Sequence, residues 1–123
     1  MHLNKIKLTT ESSERLKQLK ARTGLTPNIL CRIGFCLSLR DKAIPKPEKY
    51  PEEDREFNRY TLLGEWDDLY VALLKQWCHE NSASEYELED YFRSHVNRGV
   101  EYVGKSVKGI GDVASMNQRG RHE

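Results

Sequence analysis

No run of apolar residues in this 123-residue chain approaches the roughly 20 that a helical bilayer span requires, and no secretory leader pattern is visible at its start. Membrane insertion and export are therefore not expected. Cysteine is scarce and odd in number: Cys31, Cys36 and Cys78. A disulfide framework is thereby disfavoured, and free thiols in a reducing cytoplasm are expected. The G-x-x-x-x-G-K-[ST] loop of nucleotide-binding proteins is missing. The glycines at 104, 109 and 111 follow no predicted strand, so a dinucleotide reading is poor as well. Apolar residues are few, at 37%, against 32% charged. A lone monomer of this composition buries little, and burial across an oligomer contact would help it.

Net charge is only +1, but the average hides a segregation. Residues 1–40 carry eight Lys/Arg against two Asp/Glu. Residues 41–93 carry seven against fourteen, and residues 94–123 five against three. A basic first third beside an acidic middle suggests two different partner surfaces, unless the acidic segment folds over the basic one and cancels its field. Clustered positive charge is the electrostatic footprint expected for a phosphate backbone.

The expected fold is mainly α. Leu3–Thr9 alternates, with Ile6 and Leu8 on one side and Lys5, Lys7 and Thr9 on the other, the period of a half-buried strand. Thr9 or Thr10 caps a first helix, and Gly24 stops it. Thr26 and Pro27 start a second helix, apolar on most of its circumference and so buried in the core or in a subunit contact. This strand–helix–helix unit is ribbon-helix-helix-like. Pro45, Pro47 and Pro51 make residues 41–56 an acidic surface loop. Phe57–Leu63 reads as a second short strand or an extended packed segment. Residues 65–80 form an amphipathic helix with Trp66, Leu69, Tyr70, Leu73, Leu74 and Trp77 inward. A capping box at Ser84 and Glu87 opens a last helix whose inward stripe is Leu88, Tyr91, Phe92, His95 and Val96. Residues 1–103 make one domain, and 104–123 a flexible tail.

No catalytic constellation stands out. Cys31 and Cys36 with Cys78-His79 could in principle hold zinc, but a gap of five on a helix turns the two sulfurs apart, so buried small-hydrophobe cysteines are the expectation. His95 on an apolar stripe is expected to be a satisfied core or interface histidine, and both tryptophans core. The basic unit differs, because its features converge. Lys5 and Lys7 share a strand face, Lys17 and Lys20 a helix face, and Arg15 and Arg22 another. Such a cluster contacts several phosphates and makes binding steeply salt-dependent. Few aromatics interleave with the lysines, which favours duplex backbone over stacked single strands.

Three stretches carry a resemblance: 15–32 (RLKQLKARTGLTPNILCR), 57–65 (FNRYTLLGE) and 95–100 (HVNRGV). Through them the chain resembles the DNA sulfur modification protein family DndE. The resemblance implies a small, helical, tetrameric, non-enzymatic DNA-binding subunit of a bacterial phosphorothioation system, with a preference for nicked duplex. It implies work beside a cysteine desulfurase, a sulfur-transfer protein and an ATPase, with no cofactor or metal of its own. It implies a DNA role for Lys17, Lys20, Arg22 and Arg32, while Lys5 and Lys7 rest on the strand pattern alone. Two other readings fit the same residues: a ribbon-helix-helix repressor reading base edges through Lys5, Lys7 and Thr9, and a protein–protein adaptor docking through its acidic middle.

Overall fold

The computed structural model describes residues 4–84 and 87–106. In chain order these form strand β1 (Lys5–Lys7), helices α1 (Thr10–Thr23) and α2 (Pro27–Arg40), strand β2 (Glu56–Asn58), and helices α3 (Arg59–Leu63), α4 (Asp67–Glu80) and α5 (Leu88–Ser106). Single 3₁₀ turns fall at Pro47–Lys49 and Gly64–Trp66. The mainly helical architecture with a short sheet is the one the sequence leads to.

The helix boundaries follow from their caps. Thr9 Oγ1 accepts the Ser12 N–H at 3.0 Å, and Gly24 ends α1 at φ 75°, where a side chain would be strained. Thr26 Oγ1 accepts the Ile29 N–H, and Pro27 occupies the first helical position of α2. The Ser84–Glu87 box spans residues outside those described. So does most of the expected tail, although α5 continues through Gly104 to Ser106.

β1 pairs antiparallel with β2 of the same chain, Lys5 opposite Asn58, Ile6 opposite Phe57 and Lys7 opposite Glu56. Ile6 and Phe57 face the core, and the other four face water. The strand–helix–helix order is thus present, with its strand paired within the chain. Phe57–Leu63 is not one strand. Asn58 Oδ1 accepts the Tyr60 and Thr61 N–H groups at 2.9 and 3.2 Å, which stops β2 and starts α3. One helical turn then buries both Leu62 and Leu63, which an extended segment would point to opposite faces.

α2 and α5 form the centre. They meet at Gly34 and Gly99, where backbones touch: a Cβ built on Gly34 would lie 2.6 Å from the Gly99 carbonyl carbon, and one on Gly99 2.0 Å from the Gly34 oxygen. Around this crossing pack Phe35, Phe92, Leu30, Val96 and Val100, with Leu16 and Leu19 of α1 and Leu74 and Trp77 of α4. The crossing is also pinned by polar bonds. Arg98 is buried and donates from Nε to Ser38 Oγ at 2.8 Å, from one terminal nitrogen to Ser38 O at 2.8 Å, and from the other to Ala43 O at 2.6 Å. These donors meet acceptors at and just beyond the carbonyl end of α2, where a cation also suits the helix dipole. Ser38 Oγ, which accepts from Arg98 Nε, also lies 2.7 Å from Nδ1 of His95, within hydrogen-bond distance. Asn97 ties α5 to the head of α1, since its Oδ1 accepts the Thr9 N–H at 3.1 Å.

The packing of α4 departs from the sequence expectation. Leu74 and Trp77 are buried as expected, with Val71 and Cys78, but Trp66, Leu69 and Leu73 are 54%, 52% and 39% exposed. The inward face is set by Asp67, which forms a bidentate pair with Arg59 at 2.6 and 2.7 Å and draws the 67–71–74–78 face toward the core. Trp66 is consequently not a core residue. Cys31 and Cys78 are buried, while Cys36 is exposed.

Candidate nucleic-acid interface

The head of the molecule carries its positive charge on two platforms, the wet face of the β1–β2 ribbon and the exposed part of α1. Alternation puts Lys5 and Lys7 on the ribbon's outer face beside Glu56 and Asn58. The α1 core face, made of Ser12, Ser13, Leu16, Leu19 and Thr23, is held down by Asn97 and by the buried leucines, so the rest of α1 stands in solvent.

The six residues singled out in the sequence divide into three groups. Lys7, Lys20 and Arg22 are exposed and form no ion pair with any described residue. Lys5 lies 3.9 Å from Glu56 and Lys17 3.4 Å from Glu14, but all four side chains are well exposed. Pairs of this kind are weak and leave the cations available to a stronger anion. Arg32 does not belong with the others. Its Nε donates to Leu62 O at 2.6 Å and a terminal nitrogen to Thr61 O at 3.3 Å, so the guanidinium satisfies the end of α3. It also lies 2.8 Å from where a Gly64 Cβ would sit, at φ 60°. Its part is to seat the α3–α4 corner, which explains an arginine at the end of the 15–32 stretch without recourse to DNA.

At about 100° per residue, Lys17 and Lys20 stand on one border of the exposed ridge of α1, and Arg15 and Arg22 on the other, roughly 140–160° away. On the second border a groove of about 160 Å³ opens between α1 and the end of α5, lined by Arg15, Gln18, Leu19, Arg22, Gly104 and Lys105. The glycine pattern assigns Lys105 to the tail, so sequence reasoning misses it as a member of this groove. The continued helical spacing of Val96, Val100 and Val103 is the signal that carries the helix that far.

The 95–100 stretch is architectural. His95 is fully buried, with Trp77 perpendicular at 4.4 Å between ring centres, and its Nε2 has no hydrogen-bond partner among the described residues. Burial, with the Arg98 charge adding to it, holds its pKa down at about 3. The neutral ring is hydrogen-bonded to Ser38 and, being fully buried, has no access to a substrate. Burial likewise pushes the Cys31 thiol up to about 12, which makes it unreactive. Among the described residues no group of three or more His, Cys, Asp or Glu side chains is placed to hold a metal ion. No described helix is long and apolar enough to cross a membrane.

Residues 5–109 match the family model of the DNA sulphur modification protein DndE. Among solved structures, DndE from Escherichia coli B7A, described as involved in DNA phosphorothioation modification, superimposes with a TM-score of 0.68 at 26% identity, over 84% of this chain and 98% of that one. A G21/24K mutant of DndE, in that protein's own numbering, superimposes at 0.67 and 24% identity over 84% and 99%, a likeness of fold. No curated protein sequence matches the chain.

Proposed function

Because the chain belongs to the DndE family of DNA sulphur modification proteins, we propose that it is a non-enzymatic DNA-binding subunit of a bacterial phosphorothioation machinery, gripping nicked or distorted duplex through its basic N-terminal surface. The observation that carries this reading is the trio Lys7, Lys20 and Arg22, exposed on neighbouring elements and unpaired among the described residues. Against the alternative in which acidic residues of the middle segment cancel the basic face, Lys7, Lys20 and Arg22 meet no carboxylate among the described residues, and the Lys5–Glu56 contact is long and solvent-screened. Among the described residues, Asp67 pairs with Arg59, and Glu52 and Asp90 with Arg93, none of them a cation of the basic face.

In this reading the protein works in the cytoplasm as a homo-tetramer, alongside the ATPase and sulfur-transfer components of the system, and needs no cofactor. Self-association uses the apolar surface that folding leaves open: Ile29 on α2, with Trp66, Leu69 and Leu73 on or beside α4. Assembly would multiply phosphate contacts without new chemistry. A ribbon-helix-helix repressor is less well supported, because β1 is already paired with β2.

Titration of nicked, intact and operator-like duplexes at several salt concentrations tests the reading. Lys17→Glu with Lys20→Glu should weaken binding strongly and flatten the slope of log K against log salt by about 0.9 for each phosphate that is no longer neutralised. A folded double variant with wild-type affinity and slope would sink the proposal. Equal affinity for operator and random duplex would remove the repressor.

A further inference from the structure

We infer that the groove between α1 and the end of α5 is an oxyanion subsite that takes one backbone phosphate of the DNA. Arg22 is its uncommitted donor, and Arg15 and Lys105 exchange internal carboxylates for the phosphate. The inference deepens the DNA-binding reading and rests on it, and it places a contact on the last helix, outside the basic N-terminal third.

Two helices bring three cations to one cleft of about 160 Å³. Arg15 reaches Glu11 at 2.7 Å and Lys105 reaches Glu101 at 3.1 Å, each a contact to its own helix, with the Glu11, Glu101 and Lys105 side chains substantially exposed. Arg22 meets no described carboxylate. Exposed pairs of this kind are weak, whereas a phosphate diester offers two charged oxygens that match the fork of a guanidinium. Gln18 supplies a neutral amide donor on the same wall, and Gly104 leaves the opposite wall without a side chain, its nearest neighbour being the Arg15 stem at 3.6 Å from a built Cβ. The competing account is that Arg22 and Lys105, each in the last turn of its helix, only offset the negative helix poles. That account gives them a role in stability and none in affinity.

The two accounts separate in fluorescence anisotropy with a labelled nicked duplex, run across salt and paired with thermal melts. Arg22→Gln and Lys105→Gln should each weaken binding about tenfold, the effect of removing one charge-assisted bond, and the two together should flatten the salt slope by about 0.9, for the one phosphate the groove takes. Arg22→Lys should keep most of the slope. Glu101→Gln, which frees Lys105, should tighten binding, while Glu89→Gln, the same charge change at the far end of α5, should not. Wild-type affinity and slope in Arg22→Gln and Lys105→Gln, with binding strongly weakened in the Lys17/Lys20 double variant, overturns the subsite and leaves the DNA reading standing. Absence of duplex binding by the wild-type protein overturns both.

Discussion

At the scale of single residues, the most consequential side chains are buried polar ones that sequence patterning cannot value. His95 falls on an apolar stripe, and that much is legible. Its hydrogen bond to Ser38, 57 positions away, is not. Nothing in the sequence pattern singles out Arg98, yet it closes three bonds beside the α2 terminus. Arg32 shows the reverse: its neighbours in the chain suggest DNA, and in the fold its guanidinium is engaged with the carbonyls of α3. A pH prediction belongs here. His95 in the unfolded chain titrates near 6.5 but in the fold near 3, so the unfolded state takes up the extra proton between those values. Stability is therefore complete above about pH 6.5 and falls as pH drops toward 3, by up to about 1.4 kcal/mol per pH unit from this group. Asp41, held below the ordinary carboxylate range by the Tyr102 hydroxyl and the Ala43 N–H, adds to the same acid-side loss at the low end. His95→Asn, whose side-chain amide can still hydrogen-bond to Ser38, should flatten the curve between pH 4 and 6.5 in urea melts. An unaltered slope would mean the ring is not the titrating group.

At the scale of elements, caps and breakers make most boundaries readable: Thr9, Gly24, Thr26 and Pro27 each act where the sequence expects them to. The rotation of α4 and the identity of residues 57–63 are not readable in that way. Both have one cause, a polar pairing that overrides local hydrophobic spacing. Asp67 is drawn inward by Arg59, and Asn58 converts the end of a strand into the head of a helix. The α2–α5 crossing gives the sharpest stability test. Gly34→Ala and Gly99→Ala each force a Cβ into backbone atoms well inside 3.0 Å. Overpacking of this kind costs about 1–3 kcal/mol or more, a fall of roughly 4 °C in Tm per kcal/mol for a chain of this size. Gly104→Ala, whose Cβ meets nothing closer than 3.6 Å, should match or exceed the wild type, because alanine is the better helix former. Equal melting of Gly34→Ala and Gly104→Ala would contradict the close approach.

At the scale of the whole molecule, charge and greasiness are sorted onto different surfaces. The charge asymmetry is legible from counting alone. The open apolar surface is not, because amphipathic spacing identifies a greasy stripe without saying whether it meets its own core or another protomer. Trp66, Leu69 and Leu73 are the stripe that stays outside. Leu69→Glu with Leu73→Glu should therefore shift the protein toward smaller species in sedimentation velocity while leaving its helical circular dichroism intact. Retention of the wild-type sedimentation coefficient would rule that surface out as the contact between copies.

The touching glycines of α2 and α5 also carry an evolutionary implication. Neither position tolerates a methyl group unless the helices move apart, and moving them would tear Arg98 from the acceptors at residues 38 and 43. Drift at 34 and 99 should accordingly be arrested at both sites together. A descendant that did acquire a larger residue at one of them would need to rebuild the anchoring of residue 98 in the same step.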